Sequence, residues 1–404
     1  MPTFPIVIVG AGEAGISAAE ALRACGYQDR ILLLSDETCL PYQRPPLSKE
    51  CLQQVGSVGI PIKADDWFAA QGIDLLNGAI GLEVFPEDHL LQFLCEGSLQ
   101  TLRYQKLILA TGTRARRFEA ETPCRYLRTL QDSSQIRRDL EDAESVAIIG
   151  GGVIGLEVAA ASRGLGKAVE VYEVGPRLMA RAFPEPISQV ISDLHETHGV
   201  RLHLGVENLV INQRCVSLGG VPIEADLFVA GIGATPNFEI AETAGCSIDD
   251  GIIVDGQGQT NLPAIYAAGD VARIWHPTID AHIRIETWQH AQRHGAHVGR
   301  AVLARQPDYA VLPWFWTDQF GVNFQTVGFP GLADTTFSTR NSTTERATYI
   351  HMRDDRLIAA TTVNNGRDIR PLSELISRRW SGDVESILSA KVPLKALVQE
   401  FSKI

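Results

Sequence analysis

A glycine-rich turn between an apolar strand and a helix constrains the fold of this sequence more than any other feature. In its first copy, β-branched residues 6–9 lead into GAGEAG at residues 10–15, and an alanine-rich helix follows. Gly10 allows a tight turn, Gly12 lets a pyrophosphate approach the backbone, and Gly15 lets the helix pack closely on the strand. This order of elements predicts a βαβ unit that binds a dinucleotide.

The residues around this turn support the same interpretation. The helix after the turn would direct its first amides and a partial positive charge toward phosphates. A second strand at residues 31–34 is followed by Asp36, 21 residues after Gly15, and an acid in that position accepts hydrogen bonds from a ribose diol. A bare GxGxxG also occurs in turns without a ligand, but the complete order indicates a nucleotide site.

The second copy begins about 140 residues further along the chain. A strand at residues 145–149 leads into GGGVIG at residues 150–155, and Glu173 ends the next strand, 18 residues after Gly155. Two such units indicate two nucleotides, most simply a bound flavin dinucleotide and a diffusible nicotinamide. A carboxylate at Glu173 pairs with a free 2′-hydroxyl and repels a 2′-phosphate, which favours NADH over NADPH. Arg177 and Arg181 lie close in sequence and leave this preference open.

Composition excludes several other classes of protein. The 404 residues predict two or three domains, and the net charge of −12 argues against a general nucleic-acid or anionic-membrane binder. No basic residue precedes Arg23, so no signal peptide is expected, and no stretch of 18 uncharged apolar residues predicts a membrane span. Seven cysteines without CxxC spacing indicate reduced thiols and no metal centre. We expect a cytoplasmic protein.

Six motifs, one of which extends the second glycine-rich turn, resemble those of the FAD-dependent NADH:ferredoxin reductases of bacterial oxygenase systems, the group of biphenyl and toluene dioxygenase reductases and putidaredoxin reductase. The resemblance extends over essentially the whole chain. Its motifs are PYQRPPLSK at 41–49, LILATG at 107–112, GGGVIGLE at 150–157, IYAAGD at 265–270, RIETW at 284–288 and WFWTDQ at 314–319.

The resemblance implies an α/β fold with two Rossmann-like dinucleotide-binding domains, arranged as in glutathione reductase, and an α/β C-terminal domain. A discontinuous FAD-binding domain would comprise residues 1–112 and 237–312. An NADH-binding domain would comprise residues 113–236, and the C-terminal reductase domain residues 313–404. In this last domain the sequence predicts strands at residues 325–327, 348–351 and 357–363 and helices at residues 371–380 and 393–401.

The resemblance also implies the residues that hold non-covalently bound FAD. The first turn would hold the pyrophosphate, Asp36 the adenosine ribose, Ala79 the adenine through its backbone, Asp270 the ribityl or phosphate portion, and Trp288 the pyrimidine edge of the ring. Trp288 and Trp316 are alternatively core aromatics, and Asp270 a helix N-cap. The implied FAD residues are Gly10, Gly12, Ala14, Gly15, Asp36, Arg44, Lys49, Ala79, Ala110, Thr111, Gly112, Arg128, Gly269, Asp270, Trp288 and Trp316.

A second implied set surrounds NADH. The second turn would hold its pyrophosphate and Glu173 its adenosine ribose. Lys49 and Glu157 are the implied catalytic pair, because a carboxylate inside an apolar helix needs a partner if it is buried; alternatively Glu157 favours the helix N-terminus. The implied NADH residues are Gly150, Gly152, Val153, Ile154, Gly155, Glu157, Glu173, Arg181, Gly231, Ile232 and Gly233.

The implied activity is hydride transfer from NADH to FAD, followed by release of single electrons to a [2Fe–2S] ferredoxin. A Rieske-type ferredoxin feeding a ring-hydroxylating dioxygenase is favoured over one feeding a P450. No nucleic acid or membrane partner is expected, and the protein would be a monomer or a weak homodimer. The basic cluster Arg114, Arg116 and Arg117 is either a docking patch for an acidic ferredoxin or a solvated linker.

Two alternatives remain. One is a thiol enzyme, resembling single-cysteine NADH oxidases and coenzyme A-disulfide reductases, with Cys39 or Cys51 as the reactive group; these residues lack the CxxxxC spacing of a redox disulfide. The other is an apoptosis-inducing-factor-like flavoprotein that binds NADH slowly and works through partners.

Two groups of histidines are predicted on helix faces. His195 and His198 are expected on the solvated face of a helix. For the face that carries His290, His294 and His297, surface packing is favoured over the alternative that it lies near the flavin.

Overall fold

The computed structural model describes residues 1–54, 56, 59–119, 122–211, 215–338, 346–389 and 393–401. The chain forms two compact units. The first comprises Met1–Gln43, Gly59–Arg114 and Ala234–Val311, and the second comprises Arg44–Val58, Ala115–Gly233 and Leu312–Ile404. The three predicted domains stay a prediction.

The strands are β1 (Thr3–Val9), β2 (Ile31–Ser35), β3 (Ile73–Asn77), β4 (Ala79–Phe85), β5 (Leu90–Cys95), β6 (Ser98–Leu109), β7 (Thr113–Ala115), β8 (Cys124–Tyr126), β9 (Ser145–Ile149), β10 (Ala168–Glu173), β11 (Val200–Leu204), β12 (Leu209–Ile211), β13 (Val216–Leu218), β14 (Val221–Pro222), β15 (Leu227–Ala230), β16 (Ala234–Pro236), β17 (Ile252–Val254), β18 (Ile265–Ala267), β19 (Ala272–His276), β20 (Ala281–Arg284), β21 (Trp314–Gln319), β22 (Val322–Gly328), β23 (Thr335–Ser338), β24 (Ala347–Arg353) and β25 (Arg356–Val363). The helices are α1 (Glu13–Ala24), α2 (Glu50–Gln53), α3 (Asp65–Ala70), α4 (Leu130–Asp142), α5 (Val153–Gly164), α6 (Glu185–Thr197), α7 (Glu239–Thr243), α8 (Trp288–Leu303), α9 (Ile369–Ser377), α10 (Glu385–Leu388) and α11 (Leu394–Phe401). Short 3₁₀ turns occur at Pro45–Ser48, Gly269–Val271, Pro330–Leu332 and Gly366–Asp368.

The first unit is built around a mixed sheet with strand order β3–β2–β1–β6–β5–β4, and β18 pairs with β6. The strands β1, β2, β3, β6 and β18 run parallel, whereas β4 and β5 pair antiparallel. Both faces of β1 are buried, with Val7 and Val9 in one hydrophobic cluster and Ile6 and Ile8 in another. Burial on both faces explains the uninterrupted β-branched run in the sequence.

Two glycines of α8 allow this helix to approach α1 closely. A Cβ atom at Gly295 would lie 2.2 Å from the carbonyl oxygen of Ala14, and one at Gly299 would lie 2.4 Å from that of Ala18. Larger residues at either position would force the two helices apart. The close packing fixes α1, and therefore the first glycine-rich turn, against the part of the unit that carries Gly269 and Asp270.

The second unit contains a parallel sheet with strand order β11–β10–β9–β15–β8 and an antiparallel sheet with strand order β21–β22–β25–β24–β23. The predicted strands at residues 325–327, 348–351 and 357–363 fall within β22, β24 and β25. The predicted helices at residues 371–380 and 393–401 correspond to α9 and α11. The predicted α/β class is confirmed.

Within the residues that the structure describes, no helix is both long enough and apolar enough to cross a membrane.

Candidate functional site

The first glycine-rich turn connects β1 to α1 and requires glycine at two positions for reasons internal to the protein. Gly10 has a φ of +109°, and a Cβ atom there would lie 2.2 Å from the carbonyl oxygen of Ala110. A Cβ atom at Gly15 would lie 1.9 Å from the carbonyl oxygen of Gly10. Any side chain at these positions would disrupt the packing of the turn against β6 or of α1 against the turn.

Gly12 differs from its neighbours because nothing in the described part of the chain requires it to be a glycine. Its φ of −74° suits any residue, and apart from the adjacent residues no described atom would lie within 4 Å of a Cβ atom there. The missing side chain therefore leaves open space directly before the first amides of α1. A pyrophosphate group fits this arrangement, because helix N-terminal amides bind anions and the bare backbone permits close approach.

The other predicted flavin residues of the first unit lie at strand ends and helix starts. Asp36 follows β2 and is exposed, whereas Ala79 is buried at the start of β4. Gly269 and Asp270 form a 3₁₀ turn after β18, and Trp288 begins α8. Ala110, Thr111 and Gly112 follow β6, where the Thr111 hydroxyl donates to the carbonyl of Asn237 at 2.6 Å.

The second turn, between β9 and α5, repeats this geometry in the second unit. Gly150 has a φ of +107°, and a Cβ atom there would lie 2.5 Å from the carbonyl oxygen of Gly231. A Cβ atom at Gly155 would lie 2.2 Å from the carbonyl oxygen of Gly150. At Gly152 the nearest protein atom would be 3.9 Å away, so the space before α5 is also open.

The carboxylate of Glu173 is fixed beside the second turn. Its Oε2 accepts a hydrogen bond from the Gly151 amide at 2.6 Å, and its Oε1 accepts one from the Gly175 amide at 2.6 Å. Arg177, which left the nucleotide preference open, donates within the protein to the Phe183 carbonyl and the Ser188 hydroxyl. The Glu173 carboxylate is thus held beside the second turn by backbone amides on both of its oxygens.

Other predicted NADH residues surround the same turn. Ile154 is 40% exposed on the first turn of α5, and Val153 begins that helix. Gly231, Ile232 and Gly233 follow β15, and the Arg181 guanidinium lies 3.2 Å from the position of a Cβ atom at Gly233.

Glu157, on α5, is a buried carboxylate with three side-chain partners in the second unit. Lys49 Nζ lies 3.2 Å from Oε1, the Thr317 hydroxyl donates to Oε1 at 2.6 Å, and the Ser48 hydroxyl donates to Oε2. Burial raises the pKa of Glu157, and the Lys49 ammonium and the hydroxyl groups of Ser48 and Thr317 oppose that rise. Lys49 also lies 5.7 Å from the centre of the Trp316 ring.

The predicted flavin residues are divided between the two units. Arg44, Lys49, Arg128 and Trp316 lie in the second unit, although the sequence around Arg44 and Lys49 continues directly from β2 of the first unit. Arg44 donates to the Arg128 carbonyl at 2.7 Å, which places these two predicted residues together. The roles of all these residues toward FAD and NADH stay predictions.

Two predictions about histidines are wrong. His195 is fully buried on α6, not on a solvated face, because β21 and the residue after it cover that face of the helix. His290 and His294 are also fully buried, and His297 nearly so, because Tyr309 packs against all three rings. The amide of Gly269 donates to Nδ1 of His294, so this cluster contacts the turn that presents Asp270.

Sequence reasoning missed Ser48, Thr317 and Gln319 as partners around the buried carboxylate. Thr317 and Gln319 alternate with the exposed Asp318 along β21, so a period-two pattern of polar residues in WFWTDQ was the available signal. All seven cysteines lie in the described residues as thiols without disulfides, with Cys39 exposed and Cys51 buried. Among the described residues no cluster of three or more His, Cys, Asp or Glu side chains could hold a metal ion.

Comparison with known families gives two matches. Residues 4–295 match the family described as pyridine nucleotide-disulphide oxidoreductase, and residues 314–398 match the family described as reductase C-terminal.

Individual relatives match over nearly the whole chain. The ferredoxin–NAD(+) reductase component of the anthranilate 1,2-dioxygenase system of Burkholderia cepacia is 37% identical over 98% of this chain and 100% of its own. The rubredoxin–NAD(+) reductase of Pseudomonas putida is 35% identical over 89% of this chain and 95% of its own. A crystal structure of the covalent putidaredoxin reductase–putidaredoxin complex matches with a TM-score of 0.92 at 31% identity, covering 100% of both chains.

Proposed function

This chain belongs to the pyridine nucleotide-disulphide oxidoreductase family, and we propose that it is an NADH-dependent flavoprotein reductase that passes electrons to a [2Fe–2S] ferredoxin. The relatives described as ferredoxin–NAD(+) reductase components of dioxygenase systems support this assignment, because the likeness to them extends over 96–98% of this chain and 97–100% of theirs. A Rieske-type ferredoxin that serves a ring-hydroxylating dioxygenase is the favoured partner.

The observation that carries the proposal is the pair of open glycine turns. Among the described residues, a Cβ atom at Gly12 would meet no contact within 4 Å and one at Gly152 would come no closer than 3.9 Å to another residue, so each leaves open space before a helix N-terminus. The two glycines belong to different units. An enzyme that transfers electrons between two dinucleotides needs one such cradle for each. We assign FAD to the turn of the first unit and NADH to the turn of the second.

The chain fits FAD as a resident cofactor. Gly12 and the first amides of α1 hold the pyrophosphate, Asp36 the adenosine ribose, and Asp270 the ribityl or phosphate portion. The chemistry that bound FAD would supply is acceptance of a hydride from NADH and release of the two electrons one at a time. The protein then needs no side chain that acts as an acid or base for the hydride step; its residues bind and orient the two nucleotides.

Lys49 and Glu157 supply the charge arrangement for this chemistry. The Lys49 side chain is 17% exposed, whereas that of Glu157 is 4% exposed. The Glu157 carboxylate therefore contacts the ammonium group from the protein interior. We assign Lys49 to the stabilisation of negative charge on the reduced cofactor and Glu157 to the fixing of its ammonium group.

Glu173 is the specificity residue of the proposal. Its carboxylate is fixed by two backbone amides, so it accepts from a ribose 2′-hydroxyl of NADH without having to be ordered by the ligand. A 2′-phosphate at that position would meet a fixed negative charge, and NADH is therefore preferred.

We place the protein in the cytoplasm, where its seven thiols remain reduced.

Anaerobic reduction of the purified yellow protein tests the proposal. NADH is expected to bleach the visible flavin absorbance rapidly, and the reduced protein is expected to reduce a purified Rieske-type ferredoxin in stoichiometric single-electron steps. Parallel reactions contain a P450-type ferredoxin and a rubredoxin, which identify the acceptor class. Absence of flavin reduction by NADH would overturn the proposal.

A Cys39→Ser variant separates this mechanism from a thiol enzyme. Because the proposed chemistry uses no thiol, the variant is expected to reduce ferredoxin at the wild-type rate. Loss of reduction in Cys39→Ser would favour the thiol enzyme instead.

A further inference from the structure

His195 is a buried titratable group that the proposed reaction does not use. Its Nε2 lies 2.7 Å from Oε1 of Gln319, and within the described residues its Nδ1, although buried, has no hydrogen-bond partner. Burial lowers the pKa of His195 to about 4. The ring is therefore neutral at neutral pH, with one nitrogen engaged and the other bare.

The hydrogen bond at Nε2 is the first of a series that ends at Glu157. Gln319 Nε2 donates to the Thr317 hydroxyl oxygen at 3.1 Å, and the Thr317 hydroxyl donates to Glu157 Oε1 at 2.6 Å. All four side chains are buried, with exposed fractions of 0 to 4%. Because side chains alternate along β21, Thr317 and Gln319 share a face while Asp318 faces outward.

The chemistry of the groups gives this series one direction. The amide nitrogen of Gln319 can only donate, so the Thr317 oxygen accepts from it and directs its own proton to Glu157. The amide oxygen of Gln319 can only accept, so the proton of His195 must be on Nε2. Each group in the series therefore donates to the next group on the side of Glu157. Because the single ring proton of His195 is on Nε2, its Nδ1 can only accept a hydrogen bond.

We propose that His195 and Gln319 are positioning residues, which orient the Thr317 hydroxyl as a donor to Glu157 and so keep Glu157 the anionic partner of Lys49. The charged and polar groups that face Glu157 are Lys49 and Ser48 from the segment that precedes α2, and Thr317 from β21. The link to electron transfer rests on the function proposed above, whereas the effect on Glu157 does not.

Loss of the His195 donor removes the reason for this orientation. The Gln319 amide is then free to turn and present its oxygen to Thr317, whose hydroxyl would donate to Gln319 in place of Glu157. Glu157 would lose a donor to its charged form in a buried position, so it would take up a proton at a higher pH. Its neutralisation would leave the charge of Lys49 uncompensated and raise the reduction potential of bound flavin.

The test uses three variants of the holoprotein. His195→Phe removes the donor but keeps an aromatic ring against Phe320, whose ring centre lies 5.0 Å from that of His195. His195→Gln restores an N–H donor at nearly the position of Nε2. His198→Phe is the matched control, because His198 stacks on the same Phe320 ring from the end of the same helix but is not part of the series.

The primary measurement is the protonation of Glu157 as a function of pH, followed by infrared difference spectroscopy of its carboxyl band, with Glu157→Gln to assign the band. In His195→Phe the midpoint is expected at a proton concentration about tenfold lower than in the wild type, the change that loss of one hydrogen bond of about 1.4 kcal/mol produces. His195→Gln and His198→Phe are expected to titrate as the wild type does. The flavin potential should rise in His195→Phe over the same pH range.

An unchanged midpoint in His195→Phe, or an equal shift in His198→Phe, would overturn the proposal. Gln319→Leu interrupts the same series of hydrogen bonds at a second residue, in case His195→Phe does not fold. It is expected to shift the Glu157 midpoint in the same direction. The infrared titration requires neither NADH nor ferredoxin. If the Glu157 midpoint shifts as expected in His195→Phe but NADH does not reduce the wild-type protein, the proposed function is rejected and this inference is retained.

Discussion

The two glycine turns have the same backbone but differ in the carboxylates that surround them. Gly10 and Gly150 adopt φ values of +109° and +107°, and in both turns a Cβ atom would collide with a carbonyl oxygen of the neighbouring strand end. In the second unit Glu173 is fixed by two amides, whereas Asp36 of the first unit is exposed. The backbone therefore defines a dinucleotide cradle, and the side chains around it decide which dinucleotide it holds.

The largest expected effect comes from alanine at the first glycine of each turn, and the two substitutions should impair the binding of different nucleotides. Gly10→Ala and Gly150→Ala each place a side chain at a strained φ and cause a collision with backbone atoms. The loss in free energy of unfolding should therefore exceed the roughly 0.5–3 kcal/mol that is usual for a point substitution. Gly10→Ala is expected to yield protein without bound flavin. Gly150→Ala is expected to stay yellow but fail to be reduced by NADH. The ratio of flavin to protein absorbance and anaerobic NADH titration measure the two effects.

Gly12→Ala is the control for that pair, because a Cβ atom there would meet no atom of another described residue within 4 Å. The apoprotein should unfold at the wild-type temperature, while its affinity for added FAD falls. If Gly10→Ala loses flavin as expected but NADH still reduces Gly150→Ala, the assignment of NADH to the second turn is contradicted.

The buried Glu157 carboxylate of the second unit and the half-buried Glu13 carboxylate of the first unit should respond differently to removal of their charge. Glu157→Gln leaves Lys49 without its anionic partner and should lower the free energy of unfolding by about 3–5 kcal/mol. Glu13, in the first turn of α1, is less buried and accepts from Gln292, so Glu13→Gln should cost less than about 1 kcal/mol. Denaturant unfolding of both variants measures the difference, and equal losses would refute it.

Acid should destabilise the first unit through its buried histidines. Burial lowers the pKa of His290 from 6.5 to about 3, so in this range the unfolded chain binds a proton that the folded chain does not. The stability that the neutral His290 contributes is thus fully present above pH 6.5, and it falls by roughly 1.4 kcal/mol per pH unit as the pH decreases toward 3. His290→Gln should flatten this dependence in calorimetric unfolding.

The exposed His282 offers the matched control for that measurement. His282→Gln should leave the slope of stability against pH unchanged. A slope that is the same in His290→Gln and the wild type would show that protonation of another group controls acid unfolding.

The smallest expected effect concerns the acids at the strand ends. Glu173→Gln should lower the preference for NADH over NADPH by about tenfold, because it removes a fixed charge worth about 1.4 kcal/mol. Asp36→Asn should change the retention of FAD by less than about twofold, since this exposed acid would make one of many contacts with a large cofactor. Steady-state kinetics with both nucleotides and flavin-release rates provide the measurements. A retained preference in Glu173→Gln would assign the discrimination to Arg181 or its surroundings.

The sequence predicts well what depends on local backbone geometry. Both glycine turns, the strands before them and the helices after them are where the pattern predicts them, because only glycine tolerates the φ of Gly10 and Gly150. Lys49 also lies beside Glu157, as the resemblance implies.

The sequence fails where burial is decided by distant residues. His195 and His290 lie on helix faces whose composition is polar enough to suit solvent, and β21 and Tyr309, far along the chain, cover them. Thr317 and Ser48 become partners of Glu157 only because three separate segments meet at one carboxylate. Periodicity identifies which residues share a face, but it does not identify what packs against that face.

The allocation of residues Arg44–Val58 to the second unit has a consequence for how such a protein can be inherited. The chain passes from one unit to the other at residues 43–44, 58–59, 114–115, 233–234 and 311–312. A single recombination event at any one of these boundaries would exchange parts of both units. An event between residues 43 and 44 would separate Lys49 from the first 43 residues of the chain, and one between residues 58 and 59 would separate Lys49 from Glu157. The two nucleotide units are therefore expected to evolve as one gene, with new specificity arising by substitution at positions such as Glu173.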